Sequence, residues 1–204
     1  LVVVAGAELF TGNNLIVMAW ASGKVTTGAL LRNWLIVYLG NAVGSLGTAL
    51  IVFFGRQYAM SGGAVGVTAL TIANSKAGVE FLPALFLGIL CNGLVCLAVW
   101  MSYGARSTTD KIAAILFPIS AFVAGGFEHS IANMYFIPIG LLIKFFDPTF
   151  TAGTGLDLGH LTVQGFLVNN LLPVTIGNII GGAGLVAVVY WFVFLRKTNA
   201  TTSS

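Results

Sequence analysis

The chain has 204 residues, of which 57% are hydrophobic and only 7% charged, with a formal net charge of +3 and a mean hydropathy of +0.97. A water-soluble domain carries about a quarter of its residues as charges, so this composition excludes an ordinary soluble fold and places the chain in a lipid bilayer. It also speaks against a nucleic-acid partner, because Lys and Arg form neither a run nor a stripe.

Along the chain, apolar stretches fall at 1–21, interrupted near its middle, then 28–55, 79–103, 112–143, also interrupted, and 164–195. Read with a window of about 20 residues, these are five membrane spans. Leu1-Val2-Val3-Val4 reads as the interior of an apolar segment, with no Met and no cationic flank, so a further stretch is expected upstream of it. Turn and charge signals mark the connections: Ser22-Gly23-Lys24, Gly55-Arg56-Gln57 through Lys76, Tyr103-Gly104-Ala105-Arg106, Lys144 through His160, and a polar tail from Arg196. Lys24, Arg32, Arg106, Lys111, Arg196 and Lys197 fall on one side and Arg56, Lys76 and Lys144 on the other, which puts the first group and the C-terminus in the cytoplasm. Five visible spans then leave Leu1 outside, and six spans is the economical total. The reading is one transmembrane domain over 1–197 and a cytoplasmic tail over 198–204. Cys91 and Cys96 lie in one apolar segment at a spacing that suits neither a metal nor a disulfide, and they read as small buried hydrophobes. No metal and no cofactor is expected.

Both interruptions carry the same motif. Gly6-Ala7-Glu8-Leu9-Phe10-Thr11-Gly12-Asn13 and Gly126-Phe127-Glu128-His129-Ser130-Ile131-Ala132-Asn133 align in one frame, with Gly6 on Gly126, Glu8 on Glu128 and Asn13 on Asn133. Charged and helix-weakening residues at membrane depth are costly unless they line a protected cavity. A second pair supports the first: Gly40-Asn41 to Gly47 and Gly177-Asn178 to Gly184 both read G-N-x-x-G-x-x-G. Members of each pair lie three spans apart and so run in opposite directions, the mark of an inverted three-plus-three repeat. Glycine zippers for close helix packing are the plainer explanation of the second pair alone.

A broken helix exposes backbone groups, and Glu8, Asn13, Glu128 and Asn133 suit the task of satisfying them. His129 is the histidine within a span; it either donates to, or lends a proton to, a passing anion, or it is a packed helix histidine. Thr11, near the centre of the opposing break, is placed to hydrogen-bond His129 or a substrate carboxylate, or else to cap a helix. Leu9, Phe10, Val95 and Phe122 are candidate wall residues, with lipid or a neighbouring helix as the alternative. Asn92 should face protein or pore. Lys76 either concentrates anions or anchors the interface. Too few converging ligands are present for a metal path, whereas an apolar lumen with sparse donors suits a small monovalent anion or its conjugate acid.

The stretches Glu8 to Asn13, Asn92 through Tyr103, Phe127 to Met134 and Pro173 to Asn178 resemble the formate/nitrite transporter family, most closely its formate channel branch. The resemblance implies an all-α, aquaporin-like bundle of six spans with two broken helices, the first span being absent from this chain. It further implies a homopentamer in the bacterial inner membrane with one pore per protomer. It makes His129 and Thr11 the central selectivity pair and Phe10, Val95 and Phe122 constrictions, with Asn92, Lys76, Asn133 and Asn178 placing or attracting the anion. The expected function is a passive or proton-coupled channel for formate and similar anions, with nitrite, acetate and hydrosulfide as further candidates. A nitrite or hydrosulfide channel is the alternative within the family. A water or glycerol channel lacks its Asn-Pro-Ala motifs here, and a membrane enzyme lacks a nucleophile–base pair.

Overall fold

The computed structural model describes residues 2–196. The first break is flanked by α1 (Val2–Ala5) and by a tight turn over Gly12–Leu15 leading into α2 (Ile16–Ala21). The long α3 (Thr27–Phe54) follows, capped by the Thr26 side chain, which accepts the Ala29 N–H. Then come α4 (Ala64–Ala77), α5 (Phe81–Tyr103) and α6 (Thr108–Ala124). α6 opens on a reciprocal capping box between Ser107 and Asp110. Across the second break lies α7 (Ser130–Phe146), followed by the short α8 (Pro148–Thr154) and a last helix, α9 (Gly165–Leu195), much of it in wide i→i+5 turns.

α3, α5 and α9 are long and apolar enough to cross a membrane. Their outer faces are apolar too: Val43 on α3 is 72% exposed and Ile51 75%, the reverse of a water-soluble helix. The interior instead holds Thr11, Asn14, Asn92, Asn133, Asn170 and Asn178, all at zero exposure. Polar groups at that depth must pair with one another, and their amide donors do so around the breaks, while Asn14 Oδ1 and Asn133 Oδ1 have no partner among the described residues.

Glycine decides how closely the helices meet. α5 lies on α9 so tightly that a Cβ at Gly177 would fall inside contact distance of the Leu85 carbonyl, and one at Gly181 would do the same to Ile89. Of the two G-N-x-x-G-x-x-G stripes, the one on α9 is therefore a packing face. The stripe on α3 has open space beside Gly40, Gly44 and Gly47.

Two expectations need correction. The stretch from Gly55 to Lys76 is not only a connection: it contains α4, whose 14 residues reach about 21 Å, too short to span. Left-handed Gly62 and Gly63, with φ of +65° and +92°, make the sequence read as turn, yet α4 is held by tertiary contact. Gly66 admits the Phe150 ring of α8, and the Ala73 methyl group sits against the backbone of Gly140 of α7. Likewise α7 runs on to Phe146 before turning into α8, so the stretch from Lys144 to His160 is partly helical. Lys144 is not a free loop charge; its Nζ donates to the Leu158 and Leu161 carbonyls, each at 2.8 Å, and pins the loop before α9. Leu1, Lys197 and the expected tail over 198–204 lie outside the described residues.

Candidate functional site

The chain leaves helical geometry between α1 and Gly12, and again between α6 and α7. Each break starts on a left-handed glycine, Gly6 at φ +73° and Gly126 at φ +66°, a conformation that side chains with a Cβ resist. The repeat seen in the sequence now shows itself as a repeat of hydrogen bonds. In the first break Asn41 of α3 accepts the Phe10 N–H at 2.9 Å and donates to the Glu8 carbonyl at 3.0 Å. In the second, Asn178 of α9 accepts the Ser130 N–H at 2.9 Å and donates to the Glu128 carbonyl at 3.0 Å. Phe10 and Ser130 occupy the same motif position, so one amide from the facing long helix bridges each gap in the same way. Asn178 also donates to the Gly88 carbonyl at 2.8 Å, tying α5 to the same point.

Side chains repeat as well. Asn13 donates to the Glu8 carboxylate and to Asn33 Oδ1 at 2.9 Å, while Asn133 donates to the Glu128 carboxylate at 2.6 Å and to Asn170 Oδ1 at 2.7 Å. The halves differ in charge. Glu8 is exposed, whereas Glu128 is buried and its Oε1 meets Lys76 Nζ at 2.8 Å. Lys76 is thus ion-paired, with part of its side chain still exposed. Asn170 completes that corner, donating to Glu128 Oε2 at 3.0 Å and to the Lys76 carbonyl at 2.9 Å.

At the centre the two breaks touch. Thr11 Oγ1 and His129 Nε2 are 3.0 Å apart, both residues buried. The imidazole's other nitrogen settles the tautomer: Nδ1 accepts the Ala132 N–H at 3.0 Å, capping α7, and so carries no proton. Nε2 therefore bears the hydrogen and donates it to the Thr11 oxygen, leaving the threonine's own O–H free to donate onward. Thr11 does not cap a helix with its side chain. Its carbonyl is instead gripped by Asn92 Nδ2 at 3.2 Å, Asn14 Nδ2 at 3.2 Å and the Cys96 thiol at 3.3 Å. Asn92 also donates to the Asn178 carbonyl at 2.6 Å, so it braces both breaks with one amide. Gly182 makes room for this knot, since a Cβ there would collide with Asn92 and Cys96.

The wall candidates separate. Phe122 stacks on the His129 ring at 5.8 Å between centroids, 20° from parallel, and so lies against the central pair. Phe10 turns toward α3, edge-on to Tyr38 at 4.9 Å and Trp34 at 5.9 Å, with Leu9 packed on the same cluster. Val95 is buried on α5. One and two turns beyond it, Val99 and Ser102 line a cavity of about 360 Å³ with Val2, Val3, Tyr103 and Lys111. Sequence reasoning missed Asn14, Asn33, Asn41, Cys96 and Asn170 as members of the site. For Asn41 a signal existed, since it heads a stripe whose partner stripe is headed by Asn178. Asn33 and Asn170 have no motif; folding alone brings Asn33 to Asn13 and Asn170 to the Glu128 carboxylate.

An all-helical apolar bundle in which two interrupted helices meet at a buried hydroxyl–imidazole bond belongs to the class of membrane proteins that build a transport path from broken helices. The chain belongs to the formate/nitrite transporter family, whose description, formate/nitrite transporter, matches residues 1–192. It is 49% identical to the formate channel FocA of Escherichia coli over 203 residues, covering 98% of this chain and 71% of that protein. The formate channel FocA of Haemophilus influenzae is 44% identical over the same shares of each. A solved structure described as a pentameric formate channel with formate bound superposes with a TM-score of 0.86 at 46% identity, over 96% of this chain and 78% of that one.

Proposed function

We propose that this chain forms a path for formate and similar small monovalent anions through the bacterial inner membrane, as a homopentamer with one path per protomer and a cytoplasmic C-terminus. The observation that carries the reading is the Thr11–His129 bond at the meeting point of the two breaks. Kinship with proteins named formate channels supports the substrate, and the pentameric relative supports the assembly.

The physical problem is desolvation, because a bare carboxylate loses several kcal/mol of hydration on entering an apolar constriction. A preoriented donor at the narrowest polar point offsets part of that loss. His129 Nε2–H holds the Thr11 oxygen as an acceptor, which aims the threonine proton away from the ring and toward a passing anion. The imidazole itself acts by orientation: to lend a proton it must first take one up at Nδ1, in place of the bond from Ala132 that caps α7. Asn92, Asn133 and Asn178 contribute by holding the backbone that presents this pair, since their donors are committed to protein oxygens. Phe122 shields the junction from water.

Proteoliposomes holding the purified protein and challenged with formate, acetate, nitrite and hydrosulfide at two pH values test this reading. Formate entry well above that of empty liposomes is expected, and competition between the anions ranks them. Absence of flux for all four overturns it.

A further inference from the structure

At the ends of α2 and α9 a cavity of about 500 Å³ is lined by Ala21, Ser22, Lys24, Trp191, Leu195 and Arg196. It lies apart from both breaks. Two cations share it, and among the described residues no carboxylate lines it; the ion pair found among them is Lys76 with Glu128, elsewhere in the fold. Gly23, at φ +71°, turns the chain sharply enough to bring Lys24 back over the cavity, its N–H bonded to the Ala19 carbonyl at 2.9 Å. Arg196 is steadied by the Phe192 ring at 5.0 Å.

Each cation stands at the C-terminus of its own helix, where the backbone contributes roughly half a negative charge. The two exposed cations still make this an electropositive site. A phosphodiester carries a single negative charge and oxygens that accept from both donors. The surroundings favour a diester attached to hydrocarbon over a free ion. Leu195 and the Trp191 ring form apolar and amphipathic walls, and the exposed Phe192 ring, one turn back along α9 and in contact with Arg196, extends the apolar surface from the cavity. We propose that this cavity binds the phosphodiester headgroup of an anionic phospholipid, with Lys24 and Arg196 on the phosphate and the acyl chains running along the outer face of α9. The site is independent of the transport path.

Native mass spectrometry of the full protein, delipidated in detergent and titrated with phosphatidylglycerol or phosphatidylcholine, tests the proposal. Two basic side chains near a membrane surface, each worth about fivefold, predict a preference of about thirtyfold for the anionic lipid. The Lys24→Gln/Arg196→Gln protein is expected to bind both lipids alike, while Arg32→Gln, which removes an exposed charge outside the cavity, keeps the preference. Equal binding of the two lipids by the unaltered protein, or an unchanged preference in the double variant, overturns the proposal. Inorganic phosphate is the remaining arm: if it displaces phosphatidylglycerol at equal concentration, the site is one for a soluble anion and the lipid assignment fails.

Discussion

Thr11 holds a hydroxyl proton that no protein acceptor takes up, at a point where water is excluded. Replacing it by Val removes one hydrogen bond of about 1.4 kcal/mol from the crossing anion, so formate flux into proteoliposomes should fall about tenfold. Thr11→Ser should stay close to the unaltered rate. His129→Phe removes the donor that orients the Thr11 hydroxyl, so formate flux should fall at least as far as in Thr11→Val; an unaltered rate would remove His129 from the mechanism. Lys76 gives a different kind of test. Its loss strands the Glu128 carboxylate, whose side chain is only 4% exposed, so Lys76→Met should cost about 3–5 kcal/mol of stability, seen as a marked drop in thermal midpoint. Adding Glu128→Gln should restore most of it, because a neutral amide needs no counter-charge. Thr11, His129 and the glutamates were legible in the sequence because polar residues beside glycines stand out in an apolar run. Asn33 and Asn170 were not legible, since an isolated Asn looks the same whether it faces a neighbouring helix or a carboxylate two elements away.

Helix breaks are held from outside, by an amide on the facing long helix. Asn178→Ala strands two carbonyls and an N–H in a fully buried place, and Asn41→Ala strands one of each at a half-buried one. Both should lower the thermal midpoint in detergent, with the loss larger for Asn178, at about 1–3 kcal/mol per stranded buried group. The α7–α8 corner adds a pH-sensitive element. The Phe150 N–H and then the Tyr58 hydroxyl, at 2.8 Å, bond to Asp147 and hold its carboxyl below the usual range. A carboxyl lowered in the folded protein stabilises it above the unfolded value near 4, and that contribution is lost as pH falls through the folded value. Thermal midpoints of Asp147→Asn should therefore vary less between pH 6 and pH 3 than those of the unaltered protein. Burial, followed by the Asp147 charge, raises the Tyr58 hydroxyl, so the same contact weakens on the alkaline side only above its ordinary range. The sequence placed α3, α5 and α9 to within two residues, since long apolar runs bounded by turn residues mark their own ends. α4 escaped because Gly63 and Gly66, which admit the Phe150 ring, are locally indistinguishable from turn glycines.

Considered as a whole, the molecule is two halves of opposite direction whose breaks meet at Thr11 and His129 and are braced together by Asn92. Light scattering of the purified protein in detergent should report five copies per particle, and a monomer that still conducts formate would detach the path from the assembly. Composition determined the bilayer, because 7% charge cannot cover a soluble surface, and motif register determined the inverted repeat, because the same residues recur in the same frame. What the fold alone decided is which polar atoms are spent. Lys76, Asn92, Asn133 and Asn178 all looked available along the chain, and each proves committed to another protein atom. The reason is physical: a hydrogen bond between residues distant in sequence leaves no local pattern, yet in a medium without water an unpaired buried donor is costly and most find such a partner.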